Sequence, residues 1–210
     1  NLMFLSEFSV SILLYIFVVY LICGVIKGTI GFGMPTVSIS LLVFFIDVKV
    51  IIALILIPTI IVNFYQLSRG GNFKKIFNET KFFLFSSTIF IFPGSYLLNL
   101  INSQFIILFI ALVLFINSIL FLTNIKYSLL SYKSPLTQIL IGAINGVIIG
   151  MTSIYTMPLI FLLQSLRYNK DITVQFLGIA FFLYPIAQLF SFTNLNLISI
   201  EIVKISFLAL

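Results

Sequence analysis

The stretch Phe105-Ile-Ile-Leu-Phe-Ile-Ala-Leu-Val-Leu-Phe115 is apolar at every position. It has neither the alternation of a half-buried strand nor a polar stripe at helical spacing. A membrane barrel needs strands that alternate between lipid and a polar lumen, whereas a helix satisfies its own backbone and can be apolar all round. The stretch therefore predicts a helix in lipid. Outward from it, the nearest charges are Lys81 and Lys126, and the charges elsewhere leave further uncharged runs at 8–26, 28–46, 50–68, 134–166 and 172–200. An apolar run of about 18 residues is what spanning a bilayer takes. The prediction is an all-α, polytopic helical membrane protein.

Composition agrees: 61% of the 210 residues are hydrophobic and 8% are charged, against about 45–50% and 25% in a soluble domain. The sequence has no histidine, and its only cysteine is Cys23. Zinc sites of the usual kinds, histidine-held haem, Ser-His and Cys-His catalysis and an internal disulfide are thereby excluded. The expectation is a protein that is not an enzyme and carries no cofactor. The net charge of +6 comes from 11 basic residues spread thinly along the chain. They form no stripe of the kind that binds nucleic acid, so the partners expected are the lipid bilayer and a small solute.

The run 82–125 is long enough for two helices, near 82–99 and 105–123, with Asn99, Asn102, Ser103 and Gln104 as the turn. The run 134–166 is short for two full spans, and its centre reads Gly150-Met-Thr-Ser-Ile-Tyr-Thr-Met-Pro158. It holds either two short helices or a re-entrant pair of half-helices. The runs 8–26 and 28–46 pose the same choice around Lys27. This gives about 8 complete membrane or re-entrant segments plus a truncated one. The first run has no basic residues ahead of it and no small-residue cleavage site after it, so it is expected to remain as a membrane helix. The chain opens on Asn1 and closes inside the apolar run Ile205 to Leu210, from which a truncated C-terminus is expected.

A pair that crosses twice and a pair that dips and returns both end where they began, so the loops can be assigned to sides. Loops 69–81, 124–138 and 167–173 fall on one face and carry Arg69, Lys74, Lys75, Lys81, Lys126, Lys133, Arg167 and Lys170. By the positive-inside rule this face is cytoplasmic and the N-terminus is outside.

Gly24-Val-Ile-Lys-Gly28 and Gly142-Ala-Ile-Asn-Gly146 share a Gly-x-Ile-x-Gly frame, and each is followed by glycine and then by Pro35 or Pro158. Later helices carry Pro58 and Pro185 in matching places. The chain reads as one transporter domain, 1–210, with repeat 1 at about 8–100, an extra helix at about 105–123 and repeat 2 at about 136–210. An odd number of segments separates the repeat starts, so the repeats are inverted, as in many secondary transporters. Glycine at this spacing also serves close helix packing.

Gly24-Val-Ile-Lys-Gly-Thr-Ile-Gly-Phe-Gly-Met-Pro35, with Ser38 and the apolar helix after it, resembles the first signature of the sulfite exporter TauE/SafE family of membrane permeases. The second signature is similar to Gly142-x-x-Asn-Gly146-x-x-x-Gly150-Met-Thr152 through Pro158, followed by Gln164, Ser165, Lys170, Gln175 and Gly178. Ser153-Ile-Tyr-Thr-Met157 is bulkier than the small, glycine-rich segment of the family. The resemblance implies transport of small, often sulfur-containing anions such as sulfite or organosulfonates, and a location in the cell inner (plasma) membrane.

The residues suggest how an anion would be held. A helix broken at Gly28, Gly31 and Gly33 before Pro35 directs backbone N–H groups and a positive dipole end at the break. Gly146, Gly150, Thr152, Ser153 and Tyr155 before Pro158 supply the same from the other repeat, with hydroxyl donors added. Lys27 would neutralise the anion, since a cation within a span is costly by about 2.5–3.5 kcal/mol or more and is usually functional; otherwise it snorkels to the interface. Asn145, Gln164 and Gln175 line the pathway or tie helices together. All 5 acidic residues sit at loop or terminal positions, which leaves no carboxylate relay within a span. A secondary transporter or permease for small anions is the first reading and an anion channel the alternative; an intramembrane enzyme or a scaffold fits the residues less well.

Overall fold

The computed structural model describes residues 10–123, 134–155 and 158–208. In chain order its helices are α1 (Val10–Ile30), α2 (Met34–Leu42), α3 (Val48–Ser68), α4 (Phe73–Leu100), α5 (Ser103–Leu122), α6 (Pro135–Thr152), α7 (Leu159–Leu166), α8 (Lys170–Asn194) and α9 (Ile200–Leu208). No strand occurs among the described residues. Six of these helices, α1, α3, α4, α5, α6 and α8, are long and apolar enough to cross a membrane. The protein is a multi-pass, all-α membrane protein.

Short polar residues mark where helices begin. The Asp47 carboxylate accepts from the Lys49 amide at 2.8 Å to start α3, and the Asn169 side chain accepts from the Ile172 amide at 3.0 Å to start α8. Both satisfy donors that a helix leaves unpaired in its first turn. α2, with 9 residues, and α7, with 8, are about 12–14 Å long at 1.5 Å per residue. Neither can cross a hydrocarbon core of about 30 Å.

Several boundaries differ from the sequence expectation. α1 runs through Lys27 to Ile30 and breaks at Gly31–Gly33, because a lysine with a long apolar stem and a buried partner does not end a helix. α4 starts at Phe73 rather than near 82, so most of the expected loop 69–81 is helix. Lys74, Lys75 and Lys81 kept these turns out of the uncharged run, yet charged residues are good helix formers where a helix leaves the membrane. α8 likewise starts at Lys170, leaving only 167–169 of the expected loop 167–173. Of loop 124–138, residues 124–133 lie outside the described residues, and α6 begins at Pro135.

Two buried apolar clusters hold the helices together. One joins α1, α2, α3 and α5 to α9; the other joins α4, α6 and α8 to α7. The closest pairing is α4 on α6, and α3 lies along α8. Gly142 faces the Phe83 carbonyl, where a Cβ would sit 2.7 Å away. Gly146 and Gly150 face the backbone at Ser87 and Ile91, and Gly94 on α4 faces Val147 in return. This small-residue seam lets two backbones approach where lipid provides no hydrophobic drive between helices.

The ends of the bundle are tied by polar contacts. At one end the Tyr168 hydroxyl donates to Glu79 at 2.6 Å, Gln138 donates to the Glu79 carbonyl at 2.7 Å, and Gln175 bridges the Gly70 carbonyl and the Asn72 amide, each at 2.9 Å. At the other end Ser103 donates to Asp47 at 2.6 Å and Lys49 to the Asn99 carbonyl at 3.1 Å. The segments after α3 and α7 and the start of α6 thus share one end.

Candidate functional site

The break after α1 is built on glycine. Gly31 and Gly33 have φ of 87° and 100°, a left-handed backbone that glycine adopts without steric cost. They reverse the chain so that α2 runs back along α1, with Pro35 in its first turn, where the missing N–H costs nothing. The Lys27 carbonyl accepts from the Gly31 amide at 2.8 Å. Its side chain folds over the same turn, and Nζ donates to the Gly31 carbonyl at 3.1 Å and to Asn63 Oδ1 on α3 at 2.6 Å.

Lys27 is 7% exposed. Asn63 is fixed by its own Nδ2, which donates to the Thr59 carbonyl at 2.7 Å, so its oxygen is the atom turned to the lysine. The ammonium also lies 5.5 Å from the centre of the Phe181 ring on α8, within cation–π range. Among the described residues these partners are all neutral, so the ammonium's full positive charge is left for a ligand to balance.

The second break follows α6. Ser153 takes a left-handed φ of 54°, and its hydroxyl donates to Gln188 Oε1 at 2.8 Å. Gln188 Nε2 donates in turn to the Gly150 carbonyl at 3.2 Å. One buried amide on α8 therefore satisfies the end of α6 and holds the residue that leaves it. Thr152 Oγ1 accepts from the Ile154 amide at 3.1 Å. From there the chain passes Tyr155, whose ring centre is 5.2 Å from that of Phe181 and 6.2 Å from that of Tyr184. Non-helical backbone at membrane depth is tolerated when buried in protein, and Ile154 and Tyr155 are buried.

Phe181 thus contacts Lys27 from the first break and Tyr155 from the second. Beyond Tyr184, Asn145 Nδ2 donates to Ser87 Oγ at 3.1 Å and to the Tyr184 oxygen at 3.5 Å. Among the described residues the Tyr155 hydroxyl and Asn145 Oδ1 are buried without a hydrogen-bond partner, which costs about 1–3 kcal/mol each unless something binds there. The result is a buried polar line, Lys27, Phe181, Tyr155, Tyr184 and Asn145, running through the bundle.

Not every residue singled out from the sequence joins this line. Gly146 and Gly150 lie in the α4–α6 seam, Gln164 is exposed on α7, and Gln175 ties α8 to the loop after α3. Gly28 lines an open groove of about 660 Å³ between α1 and α3, with Tyr20, Gly24, Val62 and Arg69. Asn63, Phe181 and Gln188 were not anticipated. Asn63 and Gln188 carried a signal, an amide inside the uncharged runs 50–68 and 172–200; Phe181 carried none, as one of 25 phenylalanines. Among the described residues no three His, Cys, Asp or Glu side chains gather as metal ligands would.

The model of the sulfite exporter TauE/SafE family matches residues 16–210, which takes in both breaks and the whole polar line. The chain belongs to the sulfite exporter TauE/SafE family. No curated protein and no solved structure matches it. As a TauE/SafE protein it belongs to a family of membrane transporters.

Proposed function

We propose that this protein is a secondary transporter that moves small anions, sulfur oxyanions such as sulfite or organosulfonates, across the cytoplasmic membrane. The observation that carries the reading is the Lys27 ammonium, buried with neutral partners only, on the same aromatic ring as Tyr155. A cation without a counter-charge attracts an anion strongly in a low-dielectric surrounding. An anion at this point would meet Lys27, the amide at Gly33 and the hydroxyl of Tyr155. Thr152, Ser153 and Asn145 would line the continuation.

The two halves support the reading as inverted repeats, α1 to α4 and α6 to α9 with α5 between them. Each half opens with a long helix, breaks, continues in a short helix and then in a long one with an internal proline, Pro58 or Pro185. Rocking of one half against the other about the shared Phe181 ring would expose the anion to alternate sides. The end that carries Arg69, Lys74, Lys75, Lys81, Arg167 and Lys170 faces the cytoplasm in this reading.

Counterflow tests it. Purified protein in proteoliposomes loaded with unlabelled sulfite should accumulate labelled sulfite transiently and saturably, and Lys27→Met should abolish this while Lys49→Met does not. Flux without saturation or counterflow would point to a channel. No flux of sulfite, sulfonates, sulfate or acetate from folded protein would overturn the anion reading.

A further inference from the structure

Each break carries one aromatic side chain into the same buried cluster. Phe32, between Gly31 and Gly33, packs against it from the first break, and Tyr155 enters it from the second. The rings of Phe181 and Tyr184, one turn apart on α8, flank Tyr155 at 5.2 and 6.2 Å between centres, the separation of aromatic rings in contact. Nothing the size of an oxyanion fits between rings so placed. The groove that reaches Lys27, Gly28 and Gly31 has none of Phe181, Tyr155, Tyr184 and Asn145 on its wall. An anion held at Lys27 is therefore cut off from Asn145 by three rings, and one of them must move for it to pass.

Tyr155 is the ring with the fewest restraints. Phe181 lies against the Lys27 ammonium at 5.5 Å, and the Tyr184 oxygen accepts from Asn145 Nδ2 at 3.5 Å. Both also sit within α8, where the preceding turn denies a side chain one of its staggered positions. Tyr155 stands on non-helical backbone just beyond Ser153, which Gln188 holds, so its ring can swing while the chain beneath it stays in place. Among the described residues its hydroxyl has no hydrogen-bond partner. Phenylalanine would fill the same space without a buried, unsatisfied hydroxyl, whereas a passing anion supplies the acceptor that the hydroxyl lacks. The opening left when one ring swings aside is the size of one ring. Sulfite or methanesulfonate fits a space of that size, but benzenesulfonate brings a ring of its own besides the sulfonate.

We infer that Tyr155 is the size filter of the anion pathway, admitting oxyanions no larger than its own ring and excluding aryl sulfonates. The inference rests on the anion-transport reading above and narrows it to the small members of that substrate class.

Counterflow of labelled sulfite, methanesulfonate and benzenesulfonate in proteoliposomes tests the filter. The unaltered protein should carry the first two and exclude the third. Tyr155→Ala should raise benzenesulfonate flux relative to sulfite flux by about tenfold or more, the scale on which a pocket's shape discriminates between substrates. Tyr155→Phe, which keeps the ring, should keep the exclusion. Should Tyr155→Ala not fold, Tyr155→Leu, apolar but without the ring, is measured in its place and should relax the exclusion in the same direction. If the ring only packs the core, its loss lowers all three fluxes together and leaves their ratios unchanged, which overturns the filter. Benzenesulfonate carried by the unaltered protein as readily as sulfite also overturns it and leaves the anion reading standing, while no flux of any of the three from folded protein removes both.

Discussion

Lys27 and Asn63 are joined by a hydrogen bond of 2.6 Å between an ammonium and a neutral amide oxygen. Asn63→Asp would place a carboxylate on that ammonium and satisfy it internally. An anionic substrate would then compete with a built-in counter-charge, and its apparent affinity is expected to fall at least tenfold, about 1.4 kcal/mol, measured as the half-saturation point of counterflow. Asn63→Leu should instead leave the charge in place and cost stability. Tyr168, at the positively charged end, gives a pH prediction. Burial, and then its hydrogen bond to Glu79 and that residue's charge, hold its hydroxyl above the ordinary value of 10. A raised value favours the protonated folded form, so this contribution is full below pH 10 and is lost as pH rises through the folded value. Tyrosinate absorbance should show one late-titrating group fewer in Tyr168→Phe. Of this residue-scale detail the sequence revealed Lys27, because charge within an apolar run is conspicuous. It did not reveal Asn63 as the partner, because that depends on the register of α1 against α3.

Among the elements, α4 and α6 depend most on one side-chain choice. An alanine at Gly146 would drive its Cβ into the Ser87 carbonyl and the Phe90 side chain. Overpacking of this kind typically costs about 1–3 kcal/mol, so Gly146→Ala should lower the unfolding midpoint without changing the half-saturation point of the protein that remains folded. The sequence offered two uses for these glycines, packing and substrate contact, and spacing alone could not choose, since both need a backbone without side chains. The contacts of Gly146 and Gly150 are those of packing. The interruptions after α1 and α6 were legible from Gly31, Gly33 and Pro158, whereas the start of α4 was hidden by its charges.

Across the whole molecule, orientation is the property the sequence addresses and geometry alone does not. The basic segments after α3 and α7 share one end with Gln138, while Asp47 and Asn102 belong to the other. A membrane-impermeant thiol reagent should therefore modify Asn72→Cys only from the cytoplasmic side and Asn102→Cys only from outside, both in a Cys23→Ala background; the opposite pattern would reverse the assigned topology. The helical class and the membrane setting followed from composition and run lengths. The Phe181 junction between the two breaks could not, because it joins residues far apart in the chain through a side chain with no distinguishing mark.

The short helices α2 and α7 also bear on how the protein is made. At 9 and 8 residues, each gives the insertion machinery too little apolar length to be released into lipid by itself. α2 must enter attached to α1 and α7 attached to α6, each as a closed hairpin. The turn at Gly31–Gly33 is then formed while the ribosome is still at work, before Asn63 has met Lys27. A side chain at either glycine would be felt first as a failure of biogenesis.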